Sequence, residues 1–445
     1  MKPYASYKQS GVPWLGDVPG HWNLKRVKHL TRHTTGWTPP TSNRAGYDGP
    51  NLWATIADLG APVIKDTKAR ISDEAAAEAG IRPSPEGSLL FSFKLSVGQV
   101  SIVGEPMYTN EAIATFLPSH EYVVGWAFYA FPVFIPENSA INIYGARLLN
   151  QQRINDALLP APSLSEQQAI ADYLDVETAR IDTLIHEKNE LIGLLREWRQ
   201  SVIAEYTSGA NQPHSKKATG NVHMPEIPSD WSMVRLGKYA RIGNGSTPLK
   251  DNASYWEGGN FPWLNSAVVN RDTVDDGSEY VTDVALRACH LPIVEPGALL
   301  VALTGQGKTR GQVTVLRIQA TINQHLAYLA LDESRFDFNY LFWTLTGMYA
   351  ALRMVSDGQG GTKGALTCDD LARFEVPMPP LSVQREIAKT VSSETGKIDD
   401  LITHTNEEIE LLKELRAATI ADAVLGRIDV WTRVNNDEGR ATDEF

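Results

Sequence analysis

The residues with the clearest chemical potential lie in a glycine-rich segment of the second half, residues 304–312 (TGQGKTRGQ), between two β-like runs. Glycines let a backbone approach phosphate closely, and Lys308 and Arg310 supply donors for phosphate or for a guanine edge. The segment is therefore predicted to contact nucleic acid through Thr304, Gln306, Lys308 and Arg310. The alternative is a surface hairpin whose charges only solvate it.

The same stretch also approximates a nucleotide-binding P-loop, with alanine in place of the first glycine of residues 302–309 (ALTGQGKT). A working P-loop is followed by a helix whose N-terminus holds the phosphates. Here residues 312–316 (QVTVL) follow, and they are typical of a strand. We therefore expect no nucleotide site in this segment.

Other candidate contacts are scattered through both halves. A second glycine-rich stretch, residues 357–364 (DGQGGTKG), offers Thr362 and Lys363, and an ordinary flexible turn explains it equally well. The remaining candidates are basic residues of the first half. Arg26 and Lys28 lie in a basic run beside Trp37, for which a solvated face is the alternative. Lys94 lies in the first copy's version of the 304–312 segment, and Arg147 lies with Asn142 and Tyr144 in the counterpart of residues 357–364. Asn110 and residues 323–325 (NQH) could reach base edges, although a structural hydrogen-bonding role is favoured for them.

Motifs for catalysis are missing from the sequence. We find no methyltransferase tetrad of Asn or Asp, two prolines and an aromatic residue, no nucleophile elbow, no zinc-protease motif and no dinucleotide fingerprint. The two cysteines, Cys289 and Cys368, lack metal-ligand spacing. The sequence therefore predicts no catalytic residue, no metal site and no cofactor in this chain.

The elements that position these residues are arranged as a duplication. Trp22 is matched by Trp231 after 209 positions, and residues 98–100 (GQV) recur as 311–313 after 213. Residues 160–167 (PAPSLSEQ) return as 377–384 (PMPPLSVQ), and Glu-Thr-x-x-Ile-Asp at 177–182 returns at 394–399, both after 217 positions. Such ordered landmarks predict two copies of one unit with small insertions.

Each copy is expected to end in a long helix. Ser165 with Gln168 fits a capping-box start, and no proline follows until Pro213. Apolar residues then recur with heptad-like spacing, at Leu174, Ile181, Leu184, Leu191, Leu195, Trp198 and Val202 in the first copy and at Val391, Ile398, Leu401, Leu412 and Leu415 in the second. About 42 helical residues span roughly 60 Å. An isolated helix of this kind needs a partner, so we expect the two helices to pack on each other antiparallel, the alternative being that each folds back on its own domain.

The predicted fold class is therefore α+β, with two homologous α/β domains and two long antiparallel coiled-coil helices related by a pseudo-twofold repeat. The predicted boundaries are a first domain at 1–160, a central helix at 163–208, a linker at 209–224, a second domain at 225–380, a C-terminal helix at 381–429 and an acidic tail at 430–445.

The net charge of −12 argues against a nucleic-acid partner at first sight, because phosphate contacts need Lys and Arg. Acidic residues exceed basic ones by five in 163–206, by four in 381–429 and by two in 430–445. The remainder is nearly neutral and can present local basic surface. Apolar runs long enough to cross a membrane and an apolar signal core are both missing, which favours a cytoplasmic protein.

The opening residues 7–22 (YKQSGVPWLGDVPGHW), the paired proline–Leu-Ser–Gln segments and the two Glu-Thr-x-x-Ile-Asp helices resemble the specificity subunits of type I restriction–modification systems. The resemblance covers nearly the whole chain. It implies two target-recognition domains that read double-stranded DNA, two methylating subunits as partners, and motor–endonuclease subunits that join for cleavage. It also implies that the helices dock those partners, through Glu177, Ile181 and Asp182 and their counterparts Glu394, Ile398 and Asp399. S-adenosylmethionine, ATP and Mg²⁺ would then belong to the partner subunits.

Two different DNA-binding domains held apart by stiff helices predict an asymmetric DNA site in two parts, since equivalent groove faces recur about every 34–36 Å. Two other readings stay open. One is a docking or anti-restriction scaffold that has lost specific reading, and the other is an enzyme in its own right, such as a nuclease or an NTPase.

Overall fold

The computed structural model describes residues 3–40, 42, 44–141, 145, 147–213, 215–305, 307–357 and 364–431. The chain forms two compact units, residues 1–187 with 407–445 and residues 188–406. Two long helices contribute a segment to each unit, and the rest of each unit is a globular part. We call residues 3–161 the first head and residues 215–378 the second head.

The first head consists of short strands and helices. Its strands are β1 (Tyr7–Gln9), β2 (Asp17–Pro19), β3 (Asn23–Arg26), β4 (His33–Thr35), β5 (Asn51–Ala54), β6 (Val63–Ile64), β7 (Ala69–Ile71), β8 (Leu89–Ser92), β9 (Val100–Val103), β10 (Tyr108–Thr109), β11 (Ile113–Phe116), β12 (Ala140–Ile141), β13 (Arg147–Leu148) and β14 (Leu158–Ala161). Its helices are α1 (Val27–Leu30), α2 (Asp73–Ala79), α3 (Val124–Phe134) and α4 (Gln151–Asp156), and the long helix α5 (Leu164–Ser208) follows.

A five-stranded sheet in the order β4-β11-β8-β9-β6 forms the centre of the first head, beside a three-stranded sheet β10-β5-β7. Strand β8 is buried on both faces. Because side chains alternate along a strand, Leu89 and Phe91 join the core under α3, whereas Leu90 packs with Ile113 on the other face. This burial on both faces accounts for the three consecutive apolar residues at 89–91.

The second head repeats this architecture. Its strands are β15 (Lys216–Asn221), β16 (Met224–Pro228), β17 (Ser232–Arg235), β18 (Ala240–Asn244), β19 (Phe261–Leu264), β20 (Thr273–Val274), β21 (Glu279–Val281), β22 (Leu299–Ala302), β23 (Val313–Leu316), β24 (Thr321–Ile322), β25 (Leu326–Leu331) and β26 (Glu375–Met378). Its helices are α6 (Ala253–Trp256), α7 (Asp283–Ala288), α8 (Phe338–Gly347), α9 (Tyr349–Asp357) and α10 (Cys368–Arg373), and α11 (Leu381–Val424) follows. Its five-stranded sheet has the order β18-β25-β22-β23-β20, which matches the first head strand for strand, and the predicted duplication is confirmed.

Each long helix is joined to its head by a buried glutamine. The Gln167 side chain accepts from the Val123 amide at 2.8 Å and donates to the Pro162 carbonyl at 3.0 Å. Gln384 accepts from the Asp337 amide at 2.9 Å and donates to the Pro379 carbonyl at 2.9 Å. The cap of α5 differs from the prediction, because Ser163 rather than Ser165 accepts from the Glu166 amide, at 3.3 Å. The equivalent glutamines therefore make the same two kinds of hydrogen bond in both copies.

The long helices run antiparallel within each unit. In the first unit, Leu174 of α5 shares a core with Ala423 and Val424 near the end of α11. In the second unit, Leu195 and Val202 of α5 pack with Ile398 near the start of α11. Residues further along α5 thus pack with residues nearer the start of α11, as antiparallel helices require. Mutual pairing, rather than separate folding-back, is the arrangement found.

The predicted seam is partly wrong in phase. Leu174, Ile181, Leu195 and Val202 are buried, as are Val391 and Ile398. Leu184, Leu191, Trp198, Leu401 and Leu415 are instead exposed, because the seam is completed by threonines that leucine-based reading overlooked. Thr178, Thr395 and Thr405 are buried there, and their hydroxyls donate to the carbonyls of Leu174, Val391 and Leu401, four residues earlier, at 2.6–2.7 Å.

Two predicted boundaries also change. The stretch 209–224 is more than a linker, because β15 pairs with β16 as a hairpin corresponding to β1 and β2. Helix α11 ends at Val424 instead of residue 429. Residues 432–445 of the predicted acidic tail lie outside the described residues. Within the described ranges, no helix has the length and apolar character that a membrane crossing requires.

Candidate nucleic-acid interface

The glycine-rich loop of the second head lies between the end of β22 and the start of β23. Lys308 is exposed, and its carbonyl accepts from the Tyr349 hydroxyl at 2.7 Å. Arg353 donates to the Gly307 carbonyl and to the Tyr349 hydroxyl. Helix α9 therefore anchors the loop backbone through these hydrogen bonds, and the Lys308 side chain remains exposed. A strand follows the loop, as the sequence predicts, which is not the helix that a P-loop requires.

Arg310 does not match the prediction of an exposed contact. Its side chain is 6% exposed, and its guanidinium donates to the Gly364 carbonyl at 2.6 Å. This contact ties the loop to the chain that precedes α10, so we assign Arg310 a bracing role. Gln306, Thr362 and Lys363 lie outside the described residues, as do Asn142 and Tyr144.

The predicted basic contacts of the first head are exposed, and most are paired with acidic groups. Arg26 and Lys28 both contact Asp156, at 3.2 and 2.9 Å. The hydrogen bond from Lys28 lowers the pKa of the Asp156 carboxyl. Arg147 contacts Glu137 at 2.8 Å. Phosphate contact by these three cations stays a prediction, since exposed ion pairs are weak and the cations can exchange their carboxylate partners for other anions.

One end of each five-stranded sheet carries exposed polar side chains. In the second head, Leu303 continues the pairing of β22 with β25 through a hydrogen bond to the His325 carbonyl at 2.9 Å. In the first head, Phe93 makes the same bond to the Ala112 carbonyl at 3.0 Å. The residues just beyond this point form what we call the polar edge: Thr38, Lys94 and Glu111 in the first head, and Thr247, Thr304, Gln324 and His325 in the second.

An asparagine at the same position of each turn shapes the polar edge. The side-chain oxygen of Asn110 accepts from the Ala112 amide at 3.1 Å, and that of Asn323 accepts from the His325 amide at 3.0 Å. The favoured structural role of these asparagines agrees with this geometry. The residue between each asparagine and its partner, Glu111 or Gln324, is left exposed at the turn.

In each head, a loop that follows a sheet strand packs against this turn. A glycine of the loop lies so close to the turn that no side chain would fit there. A Cβ at Gly36 would lie 1.8 Å from the Thr109 carbonyl oxygen, and one at Gly245 would lie 1.6 Å from that of Ile322. This close approach carries a threonine to the polar edge in each head. Thr247 donates to the Gln324 side-chain oxygen at 2.6 Å, and Thr38 donates to the Glu111 carboxylate. Sequence reasoning missed both threonines, although the shared Gly-x-Thr-Pro at 36–39 and 245–248 could have indicated them.

Four of the six residues predicted to dock partners make contacts within the helix pair, and docking by any of the six stays a prediction. Ile181 and Ile398 are each 1% exposed and pack in the seam. Asp182 accepts from Arg416 at 2.8 Å in the first unit, and Asp399 accepts from Arg199 at 2.9 Å in the second. Glu177 and Glu394 pair along their own helices with Arg180 and Lys397.

Apolar side chains project from another face of each long helix. Leu184, Leu194 and Trp198 of α5 are 36–63% exposed, and Leu401, Leu411 and Leu415 of α11 are 49–63% exposed. Each residue of the second set lies 217 positions after one of the first. We call these six residues the helix stripe. Exposed apolar groups that recur in register indicate a contact surface present twice.

Arg199 is expected to contribute more to stability than its repeat counterpart Arg416. Only 17% of its side chain is exposed, and it contacts Asp272 of the second head at 3.5 Å in addition to Asp399. It also lies 5.6 Å from the Trp343 ring. Arg199→Ala should therefore destabilise by about 1–3 kcal/mol, and the matched Arg416→Ala by less than about 1 kcal/mol. Urea unfolding of the two variants measures this difference, and equal losses would contradict the bridging role.

Comparisons with known proteins give a consistent result. The family model described as "Type I restriction modification DNA specificity domain" matches residues 21–193 and 228–411. The MjaIX specificity subunit of a type I restriction enzyme from Methanocaldococcus jannaschii is 22% identical over 94% of this chain and 95% of its own length. The EcoDI specificity subunit from Escherichia coli is 24% identical over 95% of this chain and 92% of its own length.

Two solved structures share the fold. One comes from work on complex assembly and conformational transition of the type I restriction–modification system, with a TM-score of 0.70 and 19% identity over 92% of this chain and 99% of that one. The other is the HsdS subunit from Thermoanaerobacter tengcongensis, with a TM-score of 0.53 and 18% identity over 92% of this chain and 98% of that one.

Proposed function

Because the chain belongs to the type I restriction–modification DNA specificity family, we propose that it reads an asymmetric, two-part DNA site for a methylating and restricting complex. In this proposal the chain itself is not catalytic. It binds DNA and positions partner subunits, which carry the chemistry together with S-adenosylmethionine, ATP and Mg²⁺. The complex acts on DNA in the cytoplasm.

The observation that carries this proposal is one architecture with two different surfaces. The heads have the same sheet order and the same asparagine-shaped turns, but their polar edges differ in their exposed side chains, with Lys94 and Glu111 in the first head where the second has Thr304 and Gln324. Two readers of one design with unlike side chains are suited to two half-sites of unlike sequence. Base edges in the major groove distinguish all four base pairs, so a few exposed side chains suffice to specify a half-site.

The paired helices are proposed to set the gap between the half-sites. Each helix carries 44 or 45 residues and enters both units. A paired helix is stiffer than a single one, because the buried seam resists bending and slipping. The number of helical residues would then determine how many base pairs lie between the two sequences that are read.

The helix stripe is proposed to bind the methylating subunits. It occurs once per repeat with matched spacing, so one kind of partner can bind twice. The acidic residues around it limit contact with DNA phosphates and so favour a protein partner. Motor–endonuclease subunits are proposed to join the assembled complex for cleavage.

Charged substitutions in the stripe test this docking. Trp198→Glu and Leu415→Glu should together weaken binding of the methylating subunit by at least about tenfold, because two half-exposed apolar anchors are lost from the contact. The helices should still fold, since neither side chain lies in the seam. Light scattering after co-purification measures how many methylating subunits remain bound. Gln200→Glu, another exposed position that gains the same charge, is the control.

The function as a whole is tested by co-expressing the chain with its methylating subunit and mapping methylated bases across a genome by single-molecule sequencing. The expected result is one motif with two unlike parts and a fixed gap. A complex that assembles but methylates no defined site would favour a docking scaffold. Turnover by the purified chain alone would favour an enzyme.

A further inference from the structure

The turn between β10 and β11 and the turn between β24 and β25 are copies of one structure. In each, the side-chain oxygen of an asparagine accepts from the backbone amide two residues later; Asn323 is buried and Asn110 is partly buried. In each, the backbone N–H of the asparagine donates at 2.9 Å to the last carbonyl of the neighbouring strand. The acceptor is Ala54 in the first head and Leu264 in the second. The backbone of the polar edge is therefore held by the same hydrogen bonds in both heads.

The exposed side chains on this shared backbone have different chemistry. The first head presents the Glu111 carboxylate, with Lys94 in the bend that follows β8. The second presents the Gln324 amide at the equivalent position, with His325 and Thr304 beside it. His325 contacts the Thr304 hydroxyl through Nδ1 at 2.9 Å and Gln324 through Nε2 at 3.3 Å. Holding the turn requires only the asparagine and the glycine, so these exposed groups are available for another role.

The two arrangements select different base edges. Glu111 is ionised at neutral pH, because the Thr38 hydrogen bond and the nearby Lys94 lower its pKa although partial burial opposes this. An ionised carboxylate only accepts hydrogen bonds, so it suits the exocyclic amine of cytosine or adenine and disfavours the guanine O6 and thymine O4 edges. Gln324 both donates and accepts, which suits the N6 and N7 atoms of adenine.

The threonines position these groups. A side chain that turns freely discriminates poorly, because ordering it on binding costs entropy. The Thr38 hydroxyl donates to one carboxylate oxygen of Glu111 and so orients the carboxylate. The Thr247 hydroxyl is bonded to the Gln324 oxygen and orients its amide in the same way. Each reading group is thus oriented before DNA arrives.

We propose that Glu111 and Gln324 are equivalent base-reading residues, one for each half-site, and that their difference makes the two half-sites differ. Glu111 reads a base that presents an amine in the major groove, with Lys94 contacting a neighbouring guanine or phosphate. Gln324 reads adenine, with His325 and Thr304 bracing it. The inference rests on the proposed function and adds to it which residues select which class of base.

Isosteric exchanges test the assignment. Glu111→Gln should change one base-pair position of one half-site, and Gln324→Glu should change one position of the other, each altering discrimination at that position by about tenfold or more. The co-expressed complex is read by genome-wide mapping of methylated bases, and methylation rates on duplexes that vary only at the affected position give the fold-change. Glu86→Gln is the matched control, since Glu86 is exposed and lies before the start of β8, at the opposite end of the sheet.

The outcomes separate this inference from the proposed function. A change confined to one half-site for each variant, with the other half-site and the gap retained, supports the inference and shows that both heads are folded. A wild-type motif of two parts that neither exchange alters would overturn the inference and leave the proposed function standing. A wild-type complex without any two-part motif would overturn both.

Discussion

Replacing Gly245 by alanine is expected to abolish site-specific methylation by the assembled complex. The added Cβ would lie 1.6 Å from the Ile322 carbonyl oxygen, which belongs to a buried strand and cannot move aside cheaply. The loop that carries Thr247 must then shift away from the turn that carries Gln324. Overpacking against backbone costs about 1–3 kcal/mol or more. With Thr247 and Gln324 displaced in this way, the affinity of the complex for its specific DNA site should fall roughly 100-fold.

Rates of methylation on a duplex with the mapped site measure this loss, and fluorescence polarisation gives the affinity. Gly396→Ala is the control, because Gly396 lies within α11 with no atom near the added Cβ, and alanine should stabilise that helix slightly. Gly36→Ala should have the corresponding effect on the other half-site, since its Cβ would lie 1.8 Å from the Thr109 carbonyl oxygen. Full activity of Gly245→Ala would show that the close approach of loop and turn is dispensable.

Much of the fold follows from patterns visible in the sequence. Paired landmarks such as Trp22 and Trp231 identified the duplication, and both tryptophans are buried at equivalent places. The strand-like run at 312–316 predicted β23, which is buried on both faces. The antiparallel helix pair followed from two similar seams in one chain.

The phase of the helix seam could not be read from leucines alone. Buried threonines satisfy their hydroxyls on the helix backbone and then pack as small residues, so Thr178 and Thr395 occupy seam positions without an apolar signature. Leu184 and Trp198, which seemed to belong to the seam, point outward. A binary division into apolar and polar residues therefore mixed buried seam residues with exposed ones.

The candidate site was predicted less well than the fold, for a physical reason. Lys308 is exposed as expected, whereas Arg310, two residues later, is buried against the Gly364 carbonyl. Whether a loop cation faces solvent depends on contacts with distant segments, and spacing along the chain does not encode those. The polar edge could not be predicted for the same reason: Thr38 and Glu111 lie 73 positions apart in sequence.

The second large effect is expected from lengthening the helix pair. Four residues add about 6 Å of rise and about 40° of rotation to an α-helix. One base pair of DNA adds roughly 3.4 Å and about 34–36°. The rotation of the added helix thus matches one base pair, and its rise matches nearly two. An insertion of four also preserves the seam as a stutter, provided that both helices receive it at facing positions.

The central claim is that helix length sets the gap between two independently read half-sites. The most direct measurement inserts four helix-forming residues after Glu190 and four after Glu407, which lie 217 positions apart in equivalent repeats, and maps the methylated motif by single-molecule sequencing. We predict two half-motifs identical to those of the wild type, separated by a gap that is one or two base pairs longer. A gap of unchanged length in a folded and active complex would contradict the claim.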